Sequence, residues 1–228
     1  MTTVLSDFEA RVLEIERYFE LLNLLISKEA ELHFRNNRQP QTFTVDAELS
    51  KILRANCFLI LYNLAESSIR QSILEIHDQI SSKQLKFQEV KDEIKKVWLN
   101  NKYKNFKTTS NEDILIAITN IANDMIDIRF DESGTNLGGN VDAQKIREFA
   151  RKLGFSDKTH HKLNNGSKLH IVKNRRNHLA HGNISFANCG REYSIEDLEK
   201  IKNQVVKYLR NVLKNIKKFI DEEQFKNS

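Results

Sequence analysis

Phe8, Val12, Ile15, Phe19, Leu22 and Ile26 follow one another four and three residues apart, and Leu198, Ile201, Val205, Leu209, Val212, Ile216 and Phe219 repeat that rhythm near the other end of the chain. Apolar side chains at such steps line one face of an α-helix, and a stripe this long has to lie against another helix. The spacing therefore predicts an all-α bundle with a long helix at each end. Those helices pack either on each other or on the same helix of a second subunit. Between them, Asp46 is placed to cap a second long helix that runs to about Ser81. Its middle, Cys57-Phe58-Leu59-Ile60-Leu61-Tyr62, is apolar on every side, which puts this helix at the centre.

The remaining boundaries follow from caps and breakers. Ser6-x-x-Glu9 reads as a capping box opening the first helix. The only proline, Pro40, lies in the stretch Asn36 to Thr44 and ends that helix, because it removes a backbone donor and disfavours helical angles at its neighbour. A third helix is expected over Phe87 to Asn100, and a fourth over Asn111 to Met125 behind Ser110. Ile126 to Phe130 alternates like a short strand or extended turn. Ser133 to Asn140 holds three of the seven glycines but matches neither the P-loop nor the dinucleotide fingerprint, so it reads as a loop. A helix from Asp142 to Leu153 follows, closed by Gly154. Asp157 to Asn165 is another loop, with His160 and His161 adjacent, and Asn183 to Tyr193 is a turn before Ser194 and Asp197 start the final helix. The chain reads as a single domain, 1–228, with an inserted lobe at about 84–165.

Charge adds a mild bias. The net charge of +5 and pI near 9.1 suit a polyanionic partner, but 36 basic residues stand against 31 acidic ones. Lysines crowd positions 91 to 107 and the final helix. Such runs read as solvated faces, and a phosphate track is the rival reading, with steep salt dependence as its signature. Trp98, Tyr103 and Phe106 between lysines offer base stacking, although core edge is the commoner role. The N-terminus lacks the basic and apolar regions of a signal peptide, and the longest apolar run falls far short of the ~20 residues that cross a bilayer. A cytoplasmic location is expected. Cys57, in the central helix, and Cys189, in a loop, form neither a metal spacing nor a disulfide framework. Asp124, Asp127 and Asp131 read as solvated, and no metal or cofactor is expected.

Function concentrates in Asn174-Arg175-Arg176-Asn177-His178-Leu179-Ala180-His181-Gly182. These are the last turns of a helix with Ser167 as N-cap and Gly182 as the residue after the C-cap. Leu169, Val172 and Leu179 form its inner line. His170, Asn174, Asn177 and His181 form a polar stripe, with His178 beside it. Arg176 falls on the inner line, four residues from Val172 and three from Leu179, where a cation needs either a carboxylate or a ligand. Surrounding His and Asn favour a phosphate-gripping fork beside a proton-transferring imidazole. Glu66, one turn past Tyr62, is the best carboxylate to hold that fork in place.

Arg176-Asn177-x-x-x-His181 resembles the R-x(4–6)-H signature of the HEPN superfamily. The trailing Leu-Ala-His-Gly, and a helix of the type Leu53-Arg54-Ala55 through Leu64-Ala65-Glu66, are similar to stand-alone bacterial HEPN proteins of toxin and defence loci. The resemblance implies a bundle of long antiparallel helices with shorter helical insertions. It also implies a homodimer with both motifs in one cleft and metal-independent endoribonuclease activity on RNA. Some members have lost catalysis and bind a nucleotide, RNA or a partner protein, which is the alternative reading. Carried onto this chain, the catalytic candidates are Arg176, His181 and Asn177, supported by Glu66, Arg175, His178 and Asn174. Lys173, His170 and His161 are candidates for touching substrate, and an antitoxin or defence-system partner is expected alongside.

The implied chemistry is attack of the RNA 2′-hydroxyl on its own phosphate. His181 would take the 2′-OH proton or protonate the leaving 5′-oxygen, Arg176 would hold the phosphate, and Asn177 would fix the imidazole or the sugar. On an ideal helix Arg176 and His181 point ~140° apart. Either the helix loosens before Gly182, the arginine reaches around, or the two groups come from different subunits. Two rival readings are a zinc site from His178, His181 and a loop histidine, and a purely architectural bundle.

Overall fold

A computed structural model describes residues 1–36, 39–102, 110–123, 127–130 and 140–227. Helix α1 (Thr2–Leu22) buries Val4, Phe8, Val12, Ile15, Phe19 and Leu22, the stripe expected from the spacing. It starts earlier than the Ser6-x-x-Glu9 capping box, which lies inside the helix; Met1 is the N-cap and makes no side-chain capping bond. A π-turn over Asn23–Ser27 follows. That wider turn rotates the phase of the stripe, so Leu25 is buried where Ile26 was expected.

Pro40 does not end this helix. The helical segment has stopped at Ser27, Glu29 adopts a positive φ of 50°, and Pro40 sits in a hairpin of β1 (Leu32–Asn36) and β2 (Gln39–Phe43). The strands are antiparallel, with Leu32 opposite Phe43 and Arg35 opposite Pro40. Both are edge strands, which is where a residue without an N–H is tolerated.

Helix α2 (Ala47–Ser82) is capped by Asp46, whose carboxylate accepts the Leu49 amide at 2.7 Å. Its 36 residues span ~54 Å. It is the axis of the molecule, packing against α1 and against α6 (Ser167–Ala180), α7 (Phe186–Arg191) and α8 (Ile195–Asp221). Phe58, Leu61, Tyr62, Leu64 and Ala65 are all buried, which is how a helix apolar all round reads when it is central. The partner of the α1 stripe lies in the same chain. Besides α2 it meets α8, where Lys202 bonds Glu16 at 2.7 Å and Arg210 forks onto Glu9 at 2.8 and 2.7 Å.

Helix α7 occupies part of the stretch expected to be a turn. It runs flush against α2: a Cβ at Gly190 would stand 1.8 Å from the Lys51 carbonyl oxygen, so only glycine allows the approach. That contact buries Cys189, which a loop would have exposed.

A 3₁₀ turn at Phe87–Glu89 precedes α3 (Asp92–Lys102), so the expected third helix begins later than Phe87. Ser110 caps α4 (Asn111–Ala122), and Asp142 caps α5 (Ala143–Leu153), which Gly154 closes at φ 89°. Helix α3 packs on α5, and a 3₁₀ turn at His161–Gly166 replaces the end of the expected loop. Trp98 is buried edge-on to Phe87 at 5.8 Å, the core role. Asp127 pairs with Lys86 at 2.7 Å. Tyr103, Phe106, Asp124, Asp131 and the glycines at 134, 138 and 139 lie outside the described residues. Among the described residues no helix is long and apolar enough to cross a membrane.

Candidate functional site

Packing fixes α6 at its start and a glycine stop fixes its end. Gly166, not Ser167, is the N-cap, at φ 77°. A Cβ there would meet Ala143 at 2.7 Å and the Tyr208 ring at 2.8 Å, so this end is wedged between α5 and α8, and Ser167 becomes the first helical residue. At the other end His181 is the C-cap and Gly182 takes φ 70°, as its sequence position predicts. The Gly182 amide donates to Leu179 O at 3.2 Å and the Asn183 amide to His178 O at 2.8 Å, satisfying carbonyls the helix would otherwise orphan. Leu169, Val172 and Leu179 are buried.

Arg176 lies on that inner line but is only half-buried. Its guanidinium carbon sits 4.3 Å from the centre of the Tyr62 ring, its Nη1 donates to Asn177 Oδ1 at 3.0 Å, and its Nη2 is 3.9 Å from Glu66 Oε2. The stack and the Asn177 bond hold the group in one place, whereas the Glu66 contact is long and both partners are about one-third exposed. A pair of that kind is weak, so an entering phosphate displaces little. The groove in front of Arg176 has a volume of 590 Å³ and is lined along α2 by Tyr62, Asn63, Glu66, Ser67 and Arg70, among others.

Arg175 is committed elsewhere. It forks onto both Glu192 oxygens, donates from Nε to Tyr193 Oη at 3.0 Å and lies against that ring at 5.4 Å. Its partners lie between α7 and α8, so it fastens α6 to the segment that follows it.

The polar stripe is clasped by the segment that enters α5. Asn177 Nδ2 donates to Asn140 Oδ1 at 3.1 Å, and the Val141 amide donates to Tyr62 Oη at 3.1 Å. Asp142 receives Lys173 Nζ at 2.6 Å, lies 3.4 Å from His170 Nδ1, and caps α5 through the Lys145 amide at 2.9 Å. Burial pushes the Asp142 carboxyl up, but the Lys173, Lys145 and His170 contacts outweigh it and hold the group below the usual carboxylate range. Burial also raises the Tyr62 phenol. Asn174 bonds His170 Nε2 at 2.9 Å.

The structure thus joins Arg176, Asn177 and Glu66 in one cluster and Lys173, His170 and Asn174 in a second one around Asp142. Lys173 and His170, expected on substrate, are engaged with Asp142. Asn177, expected to fix the imidazole or the sugar, holds Arg176 on one side and Asn140 on the other. His181 is exposed at the C-cap; its amide donates to Asn177 O at 3.0 Å, its imidazole makes no hydrogen bond to a described residue, and it is not among the residues lining the Arg176 groove. His178 is exposed as well, and the His161 ring lies 4.3 Å from that of His160, tilted by 30°. Among the described residues no three His, Cys, Asp or Glu side chains gather as a metal site, so His178, His181 and a loop histidine do not converge.

Asn140, Asp142, Glu192 and Tyr193 were not among the sequence candidates. In the sequence Asp142 marks only the start of a helix; its place beside α6 depends on a contact with Lys173, 31 residues away. No curated protein and no solved structure matches the chain. The model of the HEPN_MAE_28990-like HEPN family matches residues 1–225, so the chain belongs to that HEPN family.

Proposed function

We propose that the protein is a metal-independent endoribonuclease of a toxin or phage-defence system, working as a homodimer. The carrying observation is the state of Arg176: stacked on Tyr62 and steadied by Asn177, it faces an open groove with only a long contact to Glu66, while its neighbour Arg175 is fully engaged. Family membership supports the reading, because HEPN domains are often ribonucleases and commonly bind RNA and dimerise.

In this reading the 2′-oxygen of the substrate attacks the adjacent phosphorus and the bond to the 5′-oxygen breaks. One imidazole, His181, takes the 2′-OH proton, and solvent water protonates the departing 5′-oxygen. Arg176 neutralises the charge that grows on the non-bridging oxygens, and Asn177 acts as the positioning residue that aims it. Products carry a 2′,3′-cyclic phosphate and a 5′-hydroxyl. Since His181 lies outside the groove that Arg176 lines in one chain, each working site pairs Arg176 of one subunit with His181 of the other.

The same separation favours one second reading, a non-catalytic module that grips RNA or a partner protein through Arg176. Incubating the protein, Arg176→Ala and His181→Ala with total RNA in EDTA and mapping the new termini separates the two. The nuclease reading expects cyclic phosphate ends that neither variant produces; retention of binding with no cut ends in any sample would establish the module.

A further inference from the structure

Two groups support the Arg176 guanidinium, the Tyr62 ring it lies on and the Asn177 amide oxygen it donates to. Both are held in turn by consecutive residues from one short segment. Asn140 Oδ1 accepts from Asn177 Nδ2 at 3.1 Å, and the Val141 amide donates to Tyr62 Oη at 3.1 Å. The next residue anchors them: the Asp142 side chain, 8% exposed, receives Lys173 of α6 at 2.6 Å and caps α5. Val141 itself is fully buried. Residues 140–142 therefore form a strap that touches α2 and α6 at the two points where Arg176 is steadied.

The chemistry of the groups dictates which way Asn177 turns. A guanidinium only donates, so the amide has to show it an oxygen, and the amide nitrogen then points away from Arg176. On that side the nitrogen meets an acceptor, Asn140 Oδ1. With an apolar group at 140 nothing rewards this orientation. Once the amide turns its nitrogen toward the guanidinium, donor faces donor, and Arg176 keeps only the ring and the long Glu66 contact. Asn140 is exposed, so its side chain fills no part of the core.

We propose that Asn140 is a positioning residue for Arg176, fixing the Asn177 amide in the orientation that aims the guanidinium into the groove. Its effect on cleavage rests on the ribonuclease reading, whereas its effect on the guanidinium does not. The test compares, in the full chain, Asn140→Leu, which keeps the bulk and drops the acceptor, with Asn140→Asp, which keeps an acceptor. By NMR, the Nε–H signal of Arg176, identified by its absence from Arg176→Ala, broadens in Asn140→Leu and stays sharp in Asn140→Asp. In RNA cleavage Asn140→Leu lowers kcat about tenfold with KM nearly unchanged, the size of one lost hydrogen bond felt in the transition state, and Asn140→Asp restores the rate. An Arg176 signal that Asn140→Leu leaves unchanged, or an Asn140→Asp chain as impaired as Asn140→Leu, overturns the proposal. If the wild type cuts no RNA, the ribonuclease reading falls and the NMR comparison alone decides the role of Asn140.

Discussion

Arg175 and Arg176 are adjacent, so their side chains leave α6 ~100° apart and meet different neighbours. The difference sets opposite outcomes for the same substitution. Arg175→Ala removes a fork onto Glu192 and a bond to Tyr193, both partly exposed, and is expected to cost ~0.5–1 kcal/mol in denaturant titrations while RNA cleavage persists. Arg176→Ala removes a weak contact to Glu66 and a stack on Tyr62. It is expected to lower the cleavage rate by roughly 10²–10³ with little change in stability, the size of losing one donor to a developing oxyanion. Reversal of these two results would mean that Arg175 is the working group. The periodicity of α6 already singled out Arg176 as a cation on an apolar line, and the position of Glu66 one turn past Tyr62 pointed to its carboxylate. The Asn140 contact and the Tyr62 stack were not legible, because they depend on where the segment before α5 crosses α6.

Among the elements, α1, α2, α5 and α8 were readable because each buries a regular stripe or carries a strong cap. The hairpin β1–β2 was missed since all its residues are exposed and burial left no pattern to find. Helix α7 was missed because six residues show too little periodicity, and its one decisive residue, Gly190, acts through contact with a backbone more than 130 residues earlier in the sequence. Gly190→Ala is expected to cost about 1–3 kcal/mol by driving α7 off α2, measurable as a lowered melting temperature. At the α2–α3–α5 junction His77 adds a pH dependence. Its folded value, about 4, lies below the ordinary 6.5, so the unfolded chain binds the proton more readily. The stability contributed by this group is full above pH 6.5 and lost as pH falls through about 4. The melting temperature of His77→Phe is expected to fall less than that of the wild type between those limits; parallel curves would show that His77 is not the titrating group.

For the whole molecule, the bundle puts α1, α6, α7 and α8 around α2 and leaves the Arg176 groove and the exposed His181 at different places on one chain. The proposed reading brings both groups to one phosphodiester by pairing two copies of the chain. Co-expressing Arg176→Ala and His181→Ala chains under separate tags, and isolating the mixed dimer, tests this directly. Each variant alone is expected to be inactive. In the mixed dimer one site has lost both groups and the other keeps Arg176 from one chain and His181 from its partner, so cleavage leaving a 2′,3′-cyclic phosphate is expected to return. Full activity in either single variant, or a mixed dimer as inactive as its parents, would contradict the account.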